Sequence, residues 1–134
     1  MSRVSVLLAD DNSVVLGQVT KALEKDYDVV AALKDGQAVV RECLRLKPDV
    51  VVLDISMGDV NGLDLVQELR DSGCYSKIVF LTVHEDHAYV NAAIGAGAMA
   101  YVVKSHMSTD LSVSIKAALA DKFFVSSSLL YGRP

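Results

Sequence analysis

Apolar residues in this chain fall into short continuous runs separated by stretches of helical period. The runs are Val4–Leu8, Val29–Leu33, Val50–Leu53, Ile78–Leu81 and Ala100–Val103. None alternates apolar with polar, so they read as parallel strands covered on both faces. In the intervening stretches, Val15, Val19, Ala22 and Leu23 share one face of the first helix, and Leu63, Val66 and Leu69 mark the third. Leu111, Ile115, Ala118 and Leu119 form the stripe of the last. Asn12 and Ser13 are placed to cap the first helix and Asp35 the second, while Asn61 or Gly62 opens the third. Pro48 ends the second helix, and Gly95 and Gly97 loosen the end of the fourth. Five βα units in series predict an α/β fold: a three-layer, doubly wound (βα)5 domain with a parallel sheet and right-handed crossovers.

Length and composition narrow this picture. A chain of 134 residues, 51% hydrophobic, suits one domain with a packed core. No apolar run approaches the ~18–20 residues of a membrane span. The stretch Ser2–Ala9 superficially resembles a signal sequence, but its apolar part is short and runs into Asp10-Asp11, so it reads as a strand. A cytoplasmic protein without membrane attachment is expected. The formal charge of −4 and the scattered Lys and Arg argue against this segment gripping a nucleic-acid backbone by itself. Cys43 and Cys74 lie in separate elements without metal-type spacing and are expected to be reduced, Cys43 as a small core residue.

The polar residues at the strand ends carry the chemistry. Asp10-Asp11 follow the first strand, Asp54 the third, Thr82 the fourth and Lys104 the fifth. In a parallel sheet these carboxyl ends share one edge, and ligands bind there where the strand order reverses. With the flavodoxin-like order 2-1-3-4-5, that reversal lies between the first and third strands. Two like charges about 4 Å apart repel by roughly 4 kcal/mol at an effective dielectric near 20. Three carboxylates with only Lys104 to offset them therefore call for a divalent cation. An all-oxygen ligand set suits Mg²⁺, with Mn²⁺ as the alternative. Thr82 and Lys104 would meet the oxygens of a phosphoryl group, and a carboxylate can act as the nucleophile that accepts it. The spacing does not choose which Asp attacks. Taken alone, Asp10-Asp11 would more often be a solvated turn or helix cap, and Lys104 a solvated strand end.

Five stretches together resemble the receiver domains of response regulators, over residues 3 to about 122. They are Leu8-Ala9-Asp10-Asp11-Asn12, Val51-Val52-Leu53-Asp54-Ile55-Ser56-Met57-Gly58, Gly62-Leu63-Asp64, Phe80-Leu81-Thr82-Val83 and Gly97-Ala98-Met99-Ala100-Tyr101-Val102-Val103-Lys104. The resemblance implies that Asp54 is the phospho-acceptor and that Asp10, Asp11, Asp54 and the backbone carbonyl of Ser56 hold Mg²⁺. It implies that Lys104 bridges to the phosphoryl group, that Thr82 is the switch hydroxyl and that Tyr101 is the switch aromatic. Such a domain accepts a phosphoryl group and loses it again, but is not otherwise an enzyme.

Three positions depart from the family pattern. Gly58 stands where Pro is usual, which predicts a looser loop, and Ser105 replaces a frequent Pro, which puts the usual cis peptide there in doubt. Val83 is bulkier than the usual Ala or Gly and is expected to narrow access to the phosphoryl group. Ser56 and His84, each two residues past a site residue, are candidates with Val83 for tuning phosphoryl lifetime. His84 and His87 otherwise read as solvated residues on a loop and at the start of the fourth helix.

Residues 109–128 resemble the end of receivers of the NarL/LuxR subfamily, which continue through a linker into a helix-turn-helix domain. Residues 1–122 are thus expected to form the receiver, and 123–134 a C-terminal extension or the start of that linker. The implied partners are a sensor histidine kinase or phosphotransfer protein, a second copy on phosphorylation, and DNA only through a domain outside this sequence. The competing readings are a stand-alone receiver that docks to another protein, a Mg²⁺-dependent phosphatase or phosphotransferase, and a degenerate interaction module. No acidic residue or Lys of the motif is lost, which argues against the degenerate module.

Overall fold

The computed structural model describes residues 3–126. In chain order the elements are β1 (Ser5–Ala9), α1 (Ser13–Leu23), β2 (Asp28–Leu33), α2 (Val39–Leu46), β3 (Val50–Leu53), β4 (Ser56–Met57), β5 (Val60–Asn61), α3 (Gly62–Asp71), β6 (Lys77–Thr82), α4 (His87–Gly95), β7 (Ala100–Val103), α5 (Met107–Leu119) and β8 (Phe124–Val125). Single 3₁₀ turns at Gly36–Ala38 and Lys104–His106 lead into α2 and α5.

The main sheet is parallel with order β2-β1-β3-β6-β7-β8. Its first five strands reproduce the expected order, and their bounds match the apolar runs to within one residue. The sixth strand, β8, was not anticipated. Phe124 and Val125 pair with Ala100 and Tyr101, and the Val103 N–H donates to Ser126 Oγ. The β4–β5 hairpin, paired Ser56 to Asn61 and Met57 to Val60, is also additional.

Alternate strand residues feed two cores. Leu7, Val51, Leu53, Ile78, Phe80 and Tyr101 pack with Val39, Cys43, Leu65, Val66, Leu69, Val90 and Ala93 from α2, α3 and α4. Val6, Leu8, Val50, Val52, Val79, Leu81 and Val102 pack with Leu16, Val19, Leu23, Leu111, Ile115 and Ala118 from α1 and α5. This two-sided burial produces the continuous apolar runs, since neither face of a central strand meets water. Burying each Val or Leu contributes roughly 1.5–3 kcal/mol. The helix faces are slightly rotated from expectation. In α1 the buried positions are Leu16, Val19 and Leu23, with Ala22 exposed, and in α3 Leu65 joins Val66 and Leu69 in the core.

Most boundary signals act as expected. Asn12 Oδ1 accepts from the N–H groups of Val14 and Val15, Asp35 from Gln37, and Asn61 from Leu63. At the end of α2, Lys47 takes a left-handed conformation (φ 48°) ahead of Pro48. Both cysteines are free and buried. Although they belong to separate segments, both lie in the same core, and burial pushes the Cys43 thiol up to about 12, a direction the Cys74 thiol reinforces.

Candidate functional site

The carboxyl ends of β1, β3, β6 and β7 place the polar residues in one cluster. The pairing of Ala9 with Leu53 and of Thr82 with Val103 aligns these strand ends. Beyond them, the Asp54 N–H donates to the Ala9 carbonyl at 3.0 Å, and the Asp10 N–H to the Leu33 carbonyl at 3.0 Å. The chain direction at both aspartates is therefore fixed by backbone bonds.

One oxygen from each of Asp10, Asp11 and Asp54 lies within 4.8 Å of the others. Asp10 and Asp54 are buried, and Asp11 is exposed. Lys104 Nζ sits 2.7 Å from Asp10 Oδ2 and 2.9 Å from Asp54 Oδ2, with only 13% of its side chain exposed. Burial raises the Asp10 carboxyl above its ordinary value, against the opposing pull of the Lys104 ammonium and the Asn12 N–H. Burial also works against the Lys104 charge, but its contacts with Asp10 and Asp54 outweigh that and hold the ammonium above its usual range. The lysine thus stays protonated between its two acids.

Three carboxylates against one ammonium leave two negative charges without a partner inside the cluster. That excess and the all-oxygen donor set fit a hard divalent cation such as Mg²⁺. Asp10, Asp11 and Asp54 are the residues whose carboxylates would hold it.

The loop after β3 is more tightly held than its glycine suggested. Gly58 has φ +60° in the turn of the β4–β5 hairpin, and its N–H donates to Asp11 Oδ2 at 3.0 Å. A proline there would have no N–H to give. Gly62, seen in the sequence as a helix start and part of a matching stretch, is required for a further reason. A Cβ on it would lie 2.2 Å from the Asp54 carbonyl oxygen, so α3 begins against the backbone of Asp54 itself. No cis peptide occurs among the described residues, so the Lys104–Ser105 bond is trans.

The remaining candidates surround this cluster. Thr82 is fully buried, and its Oγ1 lies 3.4 Å from the His84 N–H. Tyr101 is also fully buried, and its hydroxyl donates to the His84 carbonyl at 2.8 Å. Burial raises the Tyr101 phenol well above its ordinary value, reinforced by nearby Tyr89 and acidic groups. Ser56 Oγ and His84 Nε2 are 2.8 Å apart, and the His84 ring stacks on Tyr89. His84 is half-buried and engaged on several sides, while His87 opens α4 as expected. Val83 is 64% exposed beside the site. Sequence reasoning placed Gly62 in a matching stretch without giving it a part in the site, and missed Tyr89, which carries no motif signal. A cavity of about 430 Å³ lies at the other edge of the sheet, lined by Cys43, Pro48, Cys74 and Lys77, and takes no part in this cluster.

A family model for the response regulator receiver domain matches residues 6–116. The transcriptional regulatory protein DesR of Bacillus subtilis is 33% identical over 129 residues, covering 95% of this chain and 64% of DesR. The uncharacterized transcriptional regulatory protein YvfU of the same organism is 31% identical over 130 residues, covering 96% of this chain and 65% of YvfU. The chain therefore spans a little under two thirds of these relatives. Among solved structures, a LuxR-family two-component response regulator from Aurantimonas matches with a TM-score of 0.90 and 28% identity, over 96% of this chain and 94% of that one. The isolated receiver domain of RcsB from Salmonella enterica serovar Typhimurium, with the phosphomimetic BeF3⁻, matches with a TM-score of 0.87 and 27% identity, over 96% and 97%.

Proposed function

Because the chain belongs to the response regulator receiver domain family, we propose that it is a Mg²⁺-dependent switch that accepts a phosphoryl group on Asp54. The observation that carries this reading is the position of Lys104, whose ammonium touches both Asp10 and Asp54 at the rim of the acidic cluster. Both buried carboxylates accept a backbone N–H at their other oxygen, Asp10 from Asn12 at 2.9 Å and Asp54 from Ser56 at 3.3 Å, so the choice of Asp54 as acceptor rests on the family resemblance.

In the proposed reaction a carboxylate oxygen of Asp54 forms a bond to phosphorus as the bond from phosphorus to the donor's leaving group breaks. Lys104 neutralises charge gathering on the phosphoryl oxygens, and the fixed backbone around Asp54 holds the nucleophile in line. Bound Mg²⁺ would supply the remaining charge neutralisation. Thr82 and Tyr101, which grip the two sides of the His84 backbone, are then the switch pair. If the Thr82 hydroxyl turns to the new oxygens, its contact with the β6–α4 loop is lost and the balance of the α4–β7–α5 face shifts.

The donor would be a sensor histidine kinase or a phosphotransfer protein in the cytoplasm. Regulation of transcription is supported by the transcriptional regulatory proteins among its relatives, and would run through a helix-turn-helix domain and a homodimer formed on phosphorylation. A stand-alone receiver that docks to another protein is the alternative, and the coding sequence after residue 134 decides between them. No substrate turnover beyond acceptance and loss of the phosphoryl group is proposed. Incubation with Mg²⁺ and acetyl phosphate should add one acid-stable, base-labile phosphoryl group, absent in Asp54→Asn. The same adduct in that variant would reject the assignment of the acceptor.

A further inference from the structure

We propose that the His84 side chain is a positioning residue that couples the acceptor loop to α4 by a path separate from Thr82 and Tyr101. This rests on the receiver reading above. Four contacts of His84 support it, two from its backbone and two from its ring. The backbone belongs to the Thr82 and Tyr101 contacts. The ring faces elsewhere: Nε2 meets Ser56 Oγ at 2.8 Å, and the imidazole lies on the Tyr89 ring with centroids 4.2 Å apart and planes 18° apart. The small tilt makes this a stacked pair, slightly closer than the roughly 4.5–7 Å usual between aromatic centroids. Tyr89 lies in the first turn of α4, so a side-chain path runs from the loop after the acceptor, across the site, into that helix.

The path responds to loading of Asp54 for a chemical reason. Ser56 is the nearest hydroxyl-bearing neighbour in the acceptor loop, and its own N–H already points to Asp54 Oδ1. A hydroxyl carries one proton. Where Nε2 is the acceptor, that proton cannot serve both the imidazole and a new oxyanion on Asp54. Loading therefore draws Ser56 away from His84, and the ring is left to shift with Tyr89. Helix α4 is suited to respond, because only Val90 and Ala93 are buried along its length. Few apolar contacts hold it against the sheet, as expected of an element with low local stability.

The test uses the full chain with Mg²⁺ and beryllofluoride, comparing wild type with Ser56→Ala, His84→Phe and the double variant. His84→Phe keeps an aromatic partner for Tyr89 and loses the bond to Ser56. Fluorine NMR reports loading of Asp54, and the amide shifts of Val90 and Ala93 report α4. At matched loading of Asp54, each single variant should alter the α4 equilibrium about fivefold, the worth of one hydrogen bond. The double variant should be no worse than either single one. Full α4 shifts in both single variants, or additive losses in the double, would overturn the coupling while leaving the receiver reading intact. Wild type that takes up no beryllofluoride would overturn both.

Discussion

Replacing Lys104 by Met keeps the length of the side chain and removes its charge from between two buried carboxylates. At an effective dielectric near 20, an ammonium about 2.8 Å from a carboxylate gains roughly 6 kcal/mol from each such contact. The cost of burying all three groups cancels much of this, and removing one partner of a buried ion pair typically costs about 3–5 kcal/mol. That is a large part of the ~5–15 kcal/mol that holds a domain together. The loss arises because Asp10 and Asp54 would face each other, with Asp11 near, and no cation. Its size should therefore depend on what else can neutralise them. In urea titrations with a chelator at neutral pH, Lys104→Met should lose about 3–5 kcal/mol. Acidification should relieve the loss, since the carboxyls can then take up protons. Saturating Mg²⁺ should relieve it too, because the cation binds the folded state and stabilises it by mass action. Two results would refute this reasoning: an equal loss with chelator and with Mg²⁺, or no loss with chelator. Either would mean that the acids and the lysine do not form one electrostatic unit.

Three further outcomes are expected. Gly62→Ala forces a methyl to within 2.2 Å of the Asp54 carbonyl oxygen, a backbone atom that cannot turn aside, and should cost about 3 kcal/mol or more by thermal unfolding. Asn12→Ala removes the acceptor for the Val14 and Val15 N–H groups and should cost about 1 kcal/mol in urea, with α1 amides exchanging faster. Burial raises the phenols of both Tyr27 and Tyr101, so the folded state holds these protons more tightly than the unfolded chain does. Their contribution to stability is complete below the ordinary phenol value of about 10 and is lost as pH rises through the folded values. Unfolding free energy should fall on the alkaline side, and Tyr101→Phe should lessen the slope; an unchanged slope would show that this phenol does not titrate with unfolding.

The sequence was most informative where burial leaves least choice. Central parallel strands have no wet face, so β1, β3, β6 and β7 stand out as unbroken apolar runs, and a charged residue at the end of a run is conspicuous. That made Asp10, Asp11, Asp54 and Lys104 legible as one cluster once the strand order was assumed. The helices were read less well. In α1 the apolar stretch Val14-Val15-Leu16 offers adjacent candidates for the buried face, and packing chose Leu16. Two-residue strands such as β4, β5 and β8 have no period to detect. Their existence depends on a tertiary partner: β8 forms because the outer edge of β7 is free to pair with Phe124 and Val125.

The contacts that escaped the sequence share a different property. The Gly58 N–H on Asp11, the Gly62 backbone against Asp54 and the His84 ring between Ser56 and Tyr89 all involve loop residues, whose backbone path and side-chain rotamers decide which groups meet. The Gly58 position shows why residue identity misleads there. A missing proline suggests freedom, yet the N–H gained in exchange ties the hairpin to Asp11, a residue of the acidic cluster. What the sequence displays is the charge that a site must gather. What holds those charges at a set distance is written in backbone geometry, which for a loop is fixed only once the strands on either side have paired.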